Sequence, residues 1–463
     1  MKMKSMFSQP KGFYKSVIAL MVPMILQNII AQTVTLADTF MVGVLGEQYL
    51  AAVAIAVTPL FFLLIFTFGV QSGVSVLAAQ YWGKGNPSVI NRVLGVGIYI
   101  AVFVSLLGAL SLYFFTAQIL GFFTNEPILV ELGVPYMRIA GFAQVFNAIS
   151  MVYIAMQRSM ENPRIGVIVL SISSVVSIFL NWVLIFGNLG MPALGIQGAA
   201  ISTVSARFLE VVIVSIHAFT NSRLKVKLKS VFWPGMVIAK DFFKYSLPMI
   251  VNEMLWGFGF MLVLVILGHM AGAQTILAAF TIAGNIERFF SVAIFAAGSA
   301  TAVIIGTEIG AGRKESVIEV AKILTALSLM FGILTSLLIF IARLTVLEQF
   351  AYPLFNLSDE AISAASTMIW ILIFAQPVRA MIFSIGIGVL RGGGDGKAFM
   401  YIDVGSLYFV RLPIMALSGL VFGFGIGVVY SAFLIDNIVN FALCAYRMKS
   451  GKWINDVTRD TFS

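Results

Sequence analysis

Residues 17–42 of this chain read VIALMVPMILQNIIAQTVTLADTFMV, an apolar stretch of 26 residues with one charged side chain, Asp38. As an α-helix at ~1.5 Å per residue it would be about 39 Å long, enough to cross a hydrocarbon layer of ~30 Å with some tilt. The stretch therefore predicts a membrane-spanning helix. One face of this helix, at ~100° per residue, collects the polar side chains Gln27, Asn28, Gln32, Thr35, Asp38 and Thr39.

Asp38 is the costly residue in this helix. A carboxylate near the centre of a membrane helix costs roughly 2.5 to 3.5 kcal/mol on insertion scales. We therefore expect Asp38 to face the helix bundle or a wet cavity, and we interpret it as an ion-coupling site. The alternative is an acid that is hydrogen-bonded for packing alone.

The composition defines the class of protein. The chain has 463 residues, of which 60% are hydrophobic and 11% are charged, against roughly 25% charged in an average soluble domain. This composition indicates an integral membrane protein. The single cysteine, Cys444, excludes an internal disulfide, and two distant histidines leave no metal-ligand motif.

The sequence offers no enzymatic chemistry. It has no G-x-x-x-x-G-K-[ST] motif, because GGGDGKA at residues 392–398 lacks the first glycine and the final hydroxyl. No local spacing suggests a nucleophile with its base. We therefore predict that the protein is not an enzyme, has no cofactor, and is driven by a coupling ion, either H⁺ or Na⁺.

Apolar runs of spanning length predict twelve membrane helices. They lie near residues 17–42, 50–80, 93–120, 129–156, 165–187, 196–219, 244–268, 275–308, 317–342, 361–389, 398–422 and 426–446. With the amino terminus inside, the basic loop residues are cytoplasmic, namely Lys84, Arg92, Arg158, Arg164, Arg223, Lys225, Lys227, Lys229, Lys240, Lys244, Arg313, Lys314, Arg391 and Lys397. The opposite loops carry Glu47, Glu126, Asp359 and Glu360, with Arg343 as the basic exception.

This distribution predicts a multi-pass plasma-membrane protein with both termini in the cytoplasm. It also accounts for the net charge of +9, so no nucleic-acid partner is expected. We expect the bilayer and a small organic substrate to be its partners, and a monomer to be the active form.

The chain divides near its midpoint. Residues 1–219 form a predicted amino-terminal lobe of six helices, 220–243 a cytoplasmic linker, 244–446 a second lobe of six helices, and 447–463 a cytoplasmic tail. The linker segment LKVKLKSVFW, residues 224–233, has two interpretations: it lies at the headgroup interface, or it is a solvated basic loop.

The two lobes repeat one another. Pro23 and Met24 match Pro248 and Met249, and LAAVAIA from Leu50 matches LAAFTIA from Leu277. Because each lobe has an even number of spans, the copies have the same orientation, which is typical of secondary transporters. The fold class predicted is all-α, with two pseudo-symmetric six-helix lobes in a V around a central cavity.

Asn181, with Ser177 one turn before it, is the expected partner of Asp38. Asp38 lies five residues before Gly43, and Asn181 lies six residues before Gly187, so both lie at similar depth near the outer ends of their helices. These groups could share one proton or one Na⁺, which makes Asp38 and Asn181 a possible Na⁺ site.

Glu253 and Arg379 are the candidates in the second lobe, where no acid matches Asp38. Similar distances from the inner ends of their helices suggest an ion pair, which is either structural or a binding site for a cationic substrate or ion. Ranked lower are Glu287, Arg288, Asp403, Arg411 and Asp436. Arg207 and Glu210, one turn apart, are expected to pair.

Six residues are candidates for the substrate cavity, chosen for polar or adaptable side chains on the first-lobe helices. They are Gln32, Thr35, Gln144, Met151, Met156 and Thr203.

Four segments together resemble the multidrug and toxic compound extrusion (MATE) transporters over nearly the whole chain. They are ADTFMVGVLGEQYLAAVAIA at residues 37–56, QYWGKGN at 80–86, LNWVLIFGNLGMPALGIQGAAISTV at 180–204 and VLRGGGD at 389–395. The resemblance implies a two-lobed antiporter of the bacterial inner membrane that exchanges organic, often cationic, compounds for H⁺ or Na⁺. It also implies that Asp38 is the family's first-helix acid and Asn181 its fifth-helix polar partner.

The chain departs from one branch of that family. The NorM-like branch carries a tenth-helix acid where this chain has Arg379 and Ala380. Glu253 lies about one helical turn before the position of that branch's seventh-helix glutamate. These differences favour the first lobe as the coupling site. A flippase of lipid-linked saccharides, with a cationic cavity for phosphates, is the alternative function, and a channel would need a filter motif that the sequence does not contain.

Overall fold

The structure is a computed structural model that describes residues 9–124, 126–221, 224–345 and 358–459. Arg223, one of the basic linker residues, lies outside the described residues. Within these ranges every regular element is helical, and twelve helices are long and apolar enough to cross a membrane. The prediction of twelve spans is confirmed.

We number the spans in chain order. They are span 1, Lys11–Gly43; span 2, Glu47–Gly83; span 3, Pro87–Phe114; span 4, Pro127–Ser159; span 5, Arg164–Phe186; span 6, Ile196–Thr220; span 7, Met236–Gly268; span 8, Ala273–Gly310; span 9, Lys314–Thr345; span 10, Asp359–Arg391; span 11, Gly396–Val421; and span 12, Ile426–Lys449. Short helices cover Thr116–Phe123 and Leu228–Phe232.

Local chemistry explains where several spans begin and end. Pro87 and Pro127 occupy first helical positions, where the missing N–H of proline costs no hydrogen bond. Ser358 caps span 10 by accepting a hydrogen bond from the Ala361 backbone N–H at 3.2 Å. Span 5 ends at Gly187, whose φ of 74° is left-handed, and glycine adopts that conformation without a Cβ clash.

Spans 10 and 11 contain wider, π-helical turns. These turns cover Phe383–Arg391 in span 10, and Leu407–Arg411 and Leu417–Val421 in span 11. Such turns are rare and are frequent at functional sites in proteins.

The chain forms two compact units. One contains residues 1–25 and 254–458, and the other contains residues 26–253 and 459–463. Both divisions within the membrane fall inside a helix a few residues after a proline, at Pro23 in span 1 and Pro248 in span 7. These units differ from the predicted lobes at two helices. The first part of span 1 belongs to the unit that contains spans 8 to 12, and the first part of span 7 belongs to the unit that contains spans 2 to 6.

The core of the first unit includes the beginning of span 1. Val17, Leu20, Met21 and Met24 are buried in a cluster with residues of spans 8, 9, 10 and 12. The core of the second unit joins spans 1, 2, 4, 5 and 6 through small and branched side chains such as Val42, Ala56 and Ala200.

Close helix contacts in the second unit depend on glycine. Gly69 and Gly73, four residues apart on span 2, face span 7, and a Cβ added at Gly73 would lie 1.9 Å from Ser246 Oγ. Small residues at this spacing allow membrane helices to approach closely.

The linker before span 7 packs against span 3. The Asn91 amide donates to the Lys225 carbonyl at 3.3 Å, and the Tyr99 hydroxyl donates to the Phe232 carbonyl at 3.1 Å. Trp233 is 79% exposed. An exposed tryptophan beside basic residues is typical of the membrane interface. That residues 224–233 lie at the headgroup interface stays a prediction.

The segment after span 12 is part of the fold of the first unit. Trp453 is fully buried, its indole Nε1 donates to the Met448 carbonyl at 2.9 Å, and its ring lies against Gly393. The Asn455 N–H donates to the Gly393 carbonyl at 2.9 Å. The predicted tail therefore begins with a packed segment.

Candidate functional site

The structure brings Asp38 and Asn181 together in the second unit. The Asn181 amide Nδ2 donates to Asp38 Oδ1 at 2.6 Å. Asn181 is 1% exposed, whereas Asp38 is half-buried. The two groups thus make the contact expected from their depth.

The amide oxygen of Asn181 is an unused acceptor. Asn181 Oδ1 is buried and has no hydrogen-bond partner among the residues that the structure describes. An unsatisfied buried acceptor next to an ionised carboxylate can bind a cation, and after a turn of the amide it can accept a hydrogen bond from the O–H of protonated Asp38.

Two further groups interact electrostatically with Asp38. Tyr136 on span 4 and Arg207 on span 6 lie within electrostatic range of Asp38. Tyr136 is buried and Arg207 is half-buried. In the sequence, the only sign of Tyr136 is a tyrosine in the first half of span 4, which does not connect it with Asp38.

The other predicted site residues have more ordinary environments. Ser177 is buried, and its backbone carbonyl accepts from Ser202 Oγ at 3.3 Å. Thr35 and Thr203 each donate to the backbone carbonyl four residues earlier, at 3.0 and 2.9 Å. Gln32 is half-buried.

The three cavity candidates on span 4 differ from one another in burial. Met151 is half-buried, and Gln144 has a buried Oε1 that lacks a hydrogen-bond partner among the described residues. Met156 is fully buried, so its side chain belongs to the packing of the second unit and not to an open wall in this structure.

Gln27, on the polar face of span 1, fixes the position of that helix. Its amide Nε2 donates to the Pro163 carbonyl, immediately before span 5, at 2.7 Å. A Cβ added at Gly166 would overlap this amide. Gln27 is therefore an anchor below the Asp38–Asn181 pair.

Glu210 is a second buried acid in the same unit. Its Oε1 accepts from Arg207 at 2.8 Å and from Ser173 Oγ at 2.9 Å, and its Oε2 accepts from Ser150 Oγ at 2.9 Å. The predicted Arg207–Glu210 pair is confirmed. Spans 4, 5 and 6 each contribute one or more of these groups.

A separate polar cluster lies near the carboxyl-terminal ends of spans 4 and 6. The Tyr153 hydroxyl and His217 Nδ1 are 2.7 Å apart, and Gln157 donates to that hydroxyl at 2.9 Å. The Gln157 amide oxygen in turn accepts from Asn162 at 3.1 Å and from Asn221 at 3.4 Å.

Arg379, in the first unit, is paired with Glu287 of span 8. Glu253 belongs to the second unit, so its predicted pairing with Arg379 stays a prediction, and Glu287 is the acid that the structure places beside Arg379. From the sequence alone, Glu287 is a weaker candidate than Glu253.

Arg411 in span 11 bonds to Asp436 in span 12, which also accepts from Ser406, and the Arg411 guanidinium lies 4.5 Å from the centre of the Phe433 ring. Glu210, Glu287 and Asp436 are each compensated by an arginine, whereas Asp38 accepts a hydrogen bond from the amide of Asn181.

Arg343, the basic exception among the acidic loops, makes defined contacts in the structure. Its guanidinium lies 5.0 Å from the centre of the Trp370 ring and donates to Ser366 Oγ at 2.9 Å, so it is held where span 9 ends and span 10 begins. Among the described residues, no group of three or more His, Cys, Asp or Glu could hold a metal ion.

The MatE family model matches residues 23–183 and 248–417. The chain belongs to the MatE family. Each matched segment begins at one of the two paired prolines, Pro23 and Pro248, so the internal repeat seen in the sequence corresponds to two copies of the MatE unit.

Known proteins similar to this MatE chain are transporters. The uncharacterized transporter YisQ of Bacillus subtilis is 25% identical over 418 residues, which cover 90% of both chains. The probable multidrug resistance protein NorM of Thermotoga maritima is 24% identical over 442 residues, which cover 95% of this chain and 93% of NorM.

The crystal structure of the eukaryotic MATE transporter AtDTX14 has the same fold. It superposes with a TM-score of 0.85 at 19% identity, covering 96% of this chain and 97% of that one. The protein is thus a multi-pass membrane transporter of the MatE family.

Proposed function

We propose that this MatE protein exports small organic compounds, cationic or amphipathic, in exchange for H⁺ or Na⁺. The relatives described as multidrug resistance proteins support the compound-export part of this proposal. Bacterial relatives also support placement in the inner membrane, with both termini in the cytoplasm as the loop charges predict.

The observation that carries the ion-coupling part is the Asp38–Asn181 pair. Asp38 lies on a membrane-spanning helix, bonds to an amide, and leaves a buried amide oxygen free next to it. A carboxylate kept in a membrane without an arginine hydrogen-bonded to it is costly unless it binds something in its working cycle.

The proposed mechanism is alternating access. Asp38 is reached from one side of the membrane at a time, and binding of H⁺ or Na⁺ from outside weakens binding of the substrate and releases it. Because the cation and the substrate exclude one another, net transport of one drives the other. The hydrogen bond from Asn181 keeps the carboxylate in a defined orientation for this exchange.

Reconstituted vesicles test this proposal. Purified protein in proteoliposomes is given ethidium, a fluorescent organic cation, and a pH gradient and a Na⁺ gradient are imposed separately. We expect efflux to follow one of the two gradients. We expect Asp38→Asn to abolish gradient-driven efflux while the protein remains folded and membrane-inserted.

Asp403→Asn is the matched control. Asp403 is also a carboxylate bonded to an asparagine amide, that of Asn440 at 3.0 Å, but it lies in the other unit. Gradient-driven efflux by Asp38→Asn at the parent rate would refute the assignment of Asp38.

The alternative, a flippase for lipid-linked saccharides, predicts a different outcome. A flippase needs unpaired cations for phosphate groups. Arg288, Arg379 and Arg411 are the arginines that favour this alternative, and Arg379 and Arg411 are each paired with an acid. Movement of a fluorescent lipid-linked saccharide across the vesicle bilayer, without ethidium efflux, would favour the flippase.

A further inference from the structure

Two neighbouring polar contacts join spans 8 and 10 of the first unit. Arg379 is paired with Glu287. The Gln376 amide Nε2 donates to Ser291 Oγ at 3.3 Å. On span 8, Ser291 lies one turn after Glu287. On span 10, Gln376 lies one turn before Arg379. These four side chains form one polar group, which we call the span 8–10 cluster.

Close packing fixes the register of these two helices. A Cβ added at Gly298 on span 8 would lie 2.8 Å from the Phe383 carbonyl oxygen of span 10. These two residues differ by 85 in number, and so do Ser291 and Gln376, so one register brings both pairs together. The acid of the cluster lies one turn before the Ser291–Gln376 contact and the arginine one turn after it. Their ion pair therefore crosses the level of the amide.

The amide oxygen of Gln376 is an unused acceptor. Gln376 is 0% exposed, and its Oε1 is buried without a hydrogen bond to any residue in the described ranges. Buried polar atoms in folded proteins are nearly all hydrogen-bonded, so an exception indicates a missing partner. A bound molecule that donates an N–H to this oxygen would supply the missing bond.

The internal repeat places a second glutamine at the equivalent position. The sequence Phe-Ala-Gln occurs at residues 142–144 of span 4 and again at 374–376 of span 10. Gln144 also has a buried Oε1 without a partner in the part of the chain that the structure describes. An arginine near the end of each span follows the glutamine by 14 residues in span 4 and by 15 in span 10, whose π-helical turn accommodates the extra residue. Three residues after the glutamine, span 10 has Arg379 where span 4 has Asn147, so the charged pair is specific to the second copy.

The charges of the cluster favour a ligand of zero net charge. Glu287 and Arg379 cancel one another, and their side chains are 22% and 20% exposed. Within a membrane span, an accessible ion pair is stable where it faces water and not acyl chains. A bound cation would leave Arg379 uncompensated, and a bound anion would leave Glu287 uncompensated, which is costly away from bulk water. A zwitterion compensates both side chains.

We propose that the span 8–10 cluster is a subsite for compounds that carry both an ammonium group and a carboxylate. The ammonium group donates to Glu287 and to Gln376 Oε1, and the carboxylate accepts from Arg379. This inference rests on the proposed function, because it assumes that the bound compound is exported. It adds zwitterions to the expected substrates and assigns them to the first unit, whereas Asp38 lies in the second.

Three dansyl compounds of different charge test the inference. Nε-dansyl-lysine has both groups, dansylcadaverine is the same molecule without the carboxylate, and Nα-acetyl-Nε-dansyl-lysine has no ammonium group. Binding to purified protein is measured as the saturable energy transfer from its tryptophans to the dansyl group. A hydrogen bond to a charged group contributes about tenfold in affinity or more. We therefore expect Glu287→Gln combined with Arg379→Gln to weaken binding of Nε-dansyl-lysine at least about tenfold, and neither analogue to lose more than about twofold.

Gln376→Leu tests the acceptor and leaves the ion pair in place. We expect it to weaken binding of Nε-dansyl-lysine by about tenfold, because the ammonium group loses one hydrogen bond. Asp395→Asn combined with Arg447→Gln is the matched control, since it removes another ion pair of the first unit, beyond the end of span 10. We expect this control to bind all three probes like the parent. A purely structural role for the cluster would instead lower binding of all three probes alike.

The result for the subsite is separate from the result for export. If the parent shows no saturable binding of Nε-dansyl-lysine, or if Gln376→Leu or the folded double variant binds it like the parent, the subsite is overturned, while gradient-driven ethidium efflux still supports the proposed function. If ethidium efflux follows neither gradient but Nε-dansyl-lysine binds as expected, the proposed function fails and the cluster remains a zwitterion-binding site. Should the double variant fail to accumulate, Gln376→Leu decides alone.

Discussion

Replacing Asn181 by leucine separates the two possible coupling ions. The substitution removes the amide without leaving a large void. The bond to Asp38 is 2.6 Å long, and hydrogen bonds to a charged group contribute ~1.5 to 3 kcal/mol. Because Asp38 is half-buried, water replaces part of that bond, so we take the lower figure, which is about tenfold in affinity.

The direction of the change depends on the ion. The amide donates to the ionised carboxylate, so its loss favours the protonated acid, and a proton-coupled exporter would reach half-maximal efflux about one pH unit less acidic. Na⁺ would instead lose the Asn181 amide oxygen as a ligand. A sodium-coupled exporter would therefore need about tenfold more Na⁺.

Ethidium efflux from proteoliposomes, titrated against pH and against Na⁺, measures this difference. Asn188→Leu is the control, because Asn188 also donates an amide hydrogen bond, to the Trp182 carbonyl at 2.8 Å, but lies beyond the end of span 5. An Asn181→Leu variant with the parent's dependence on both ions would refute the role of this pair.

Three further predictions concern stability. Gly73→Ala should destabilise by ~1 to 3 kcal/mol, since its Cβ would overlap span 7 at 1.9 Å. Gly284→Ala, whose Cβ would have no described atom within 4 Å, should be neutral or stabilising by up to ~1 kcal/mol; denaturation in detergent compares the two. Arg379→Gln should cost ~3 kcal/mol by leaving Glu287 uncompensated, and adding Glu287→Gln should recover part of this in a double-mutant cycle. Trp453→Ala should cost ~3 to 5 kcal/mol by emptying a fully buried site, measured as a lowered melting temperature.

The spans and the Asp38–Asn181 contact were predictable from the sequence. Apolar run length determines which segments cross the membrane, and both residues lie a similar number of residues before the outer ends of their helices. Distance along a helix is a reliable measure of depth where the two helix ends lie at the same level.

The partner of Arg379 could not be found by that measure. Span 8 is 38 residues long, and its Ala302 lies against Gly392, just after the end of span 10, so span 8 continues about two turns further. Depths counted from the inner ends therefore place Glu287 at the wrong level relative to Arg379. Glycine contacts between helices set the register, and the sequence does not state which helix each glycine faces.

The buried Trp453 has a practical consequence for anyone who handles this protein. Shortening the chain at the last membrane helix would remove an indole that fills space beside Gly393 and a backbone bond from Asn455 to the same glycine. Purification handles and fluorescent reporters are best appended beyond Arg459, whose guanidinium bonds to Asp241 at 2.5 and 2.7 Å.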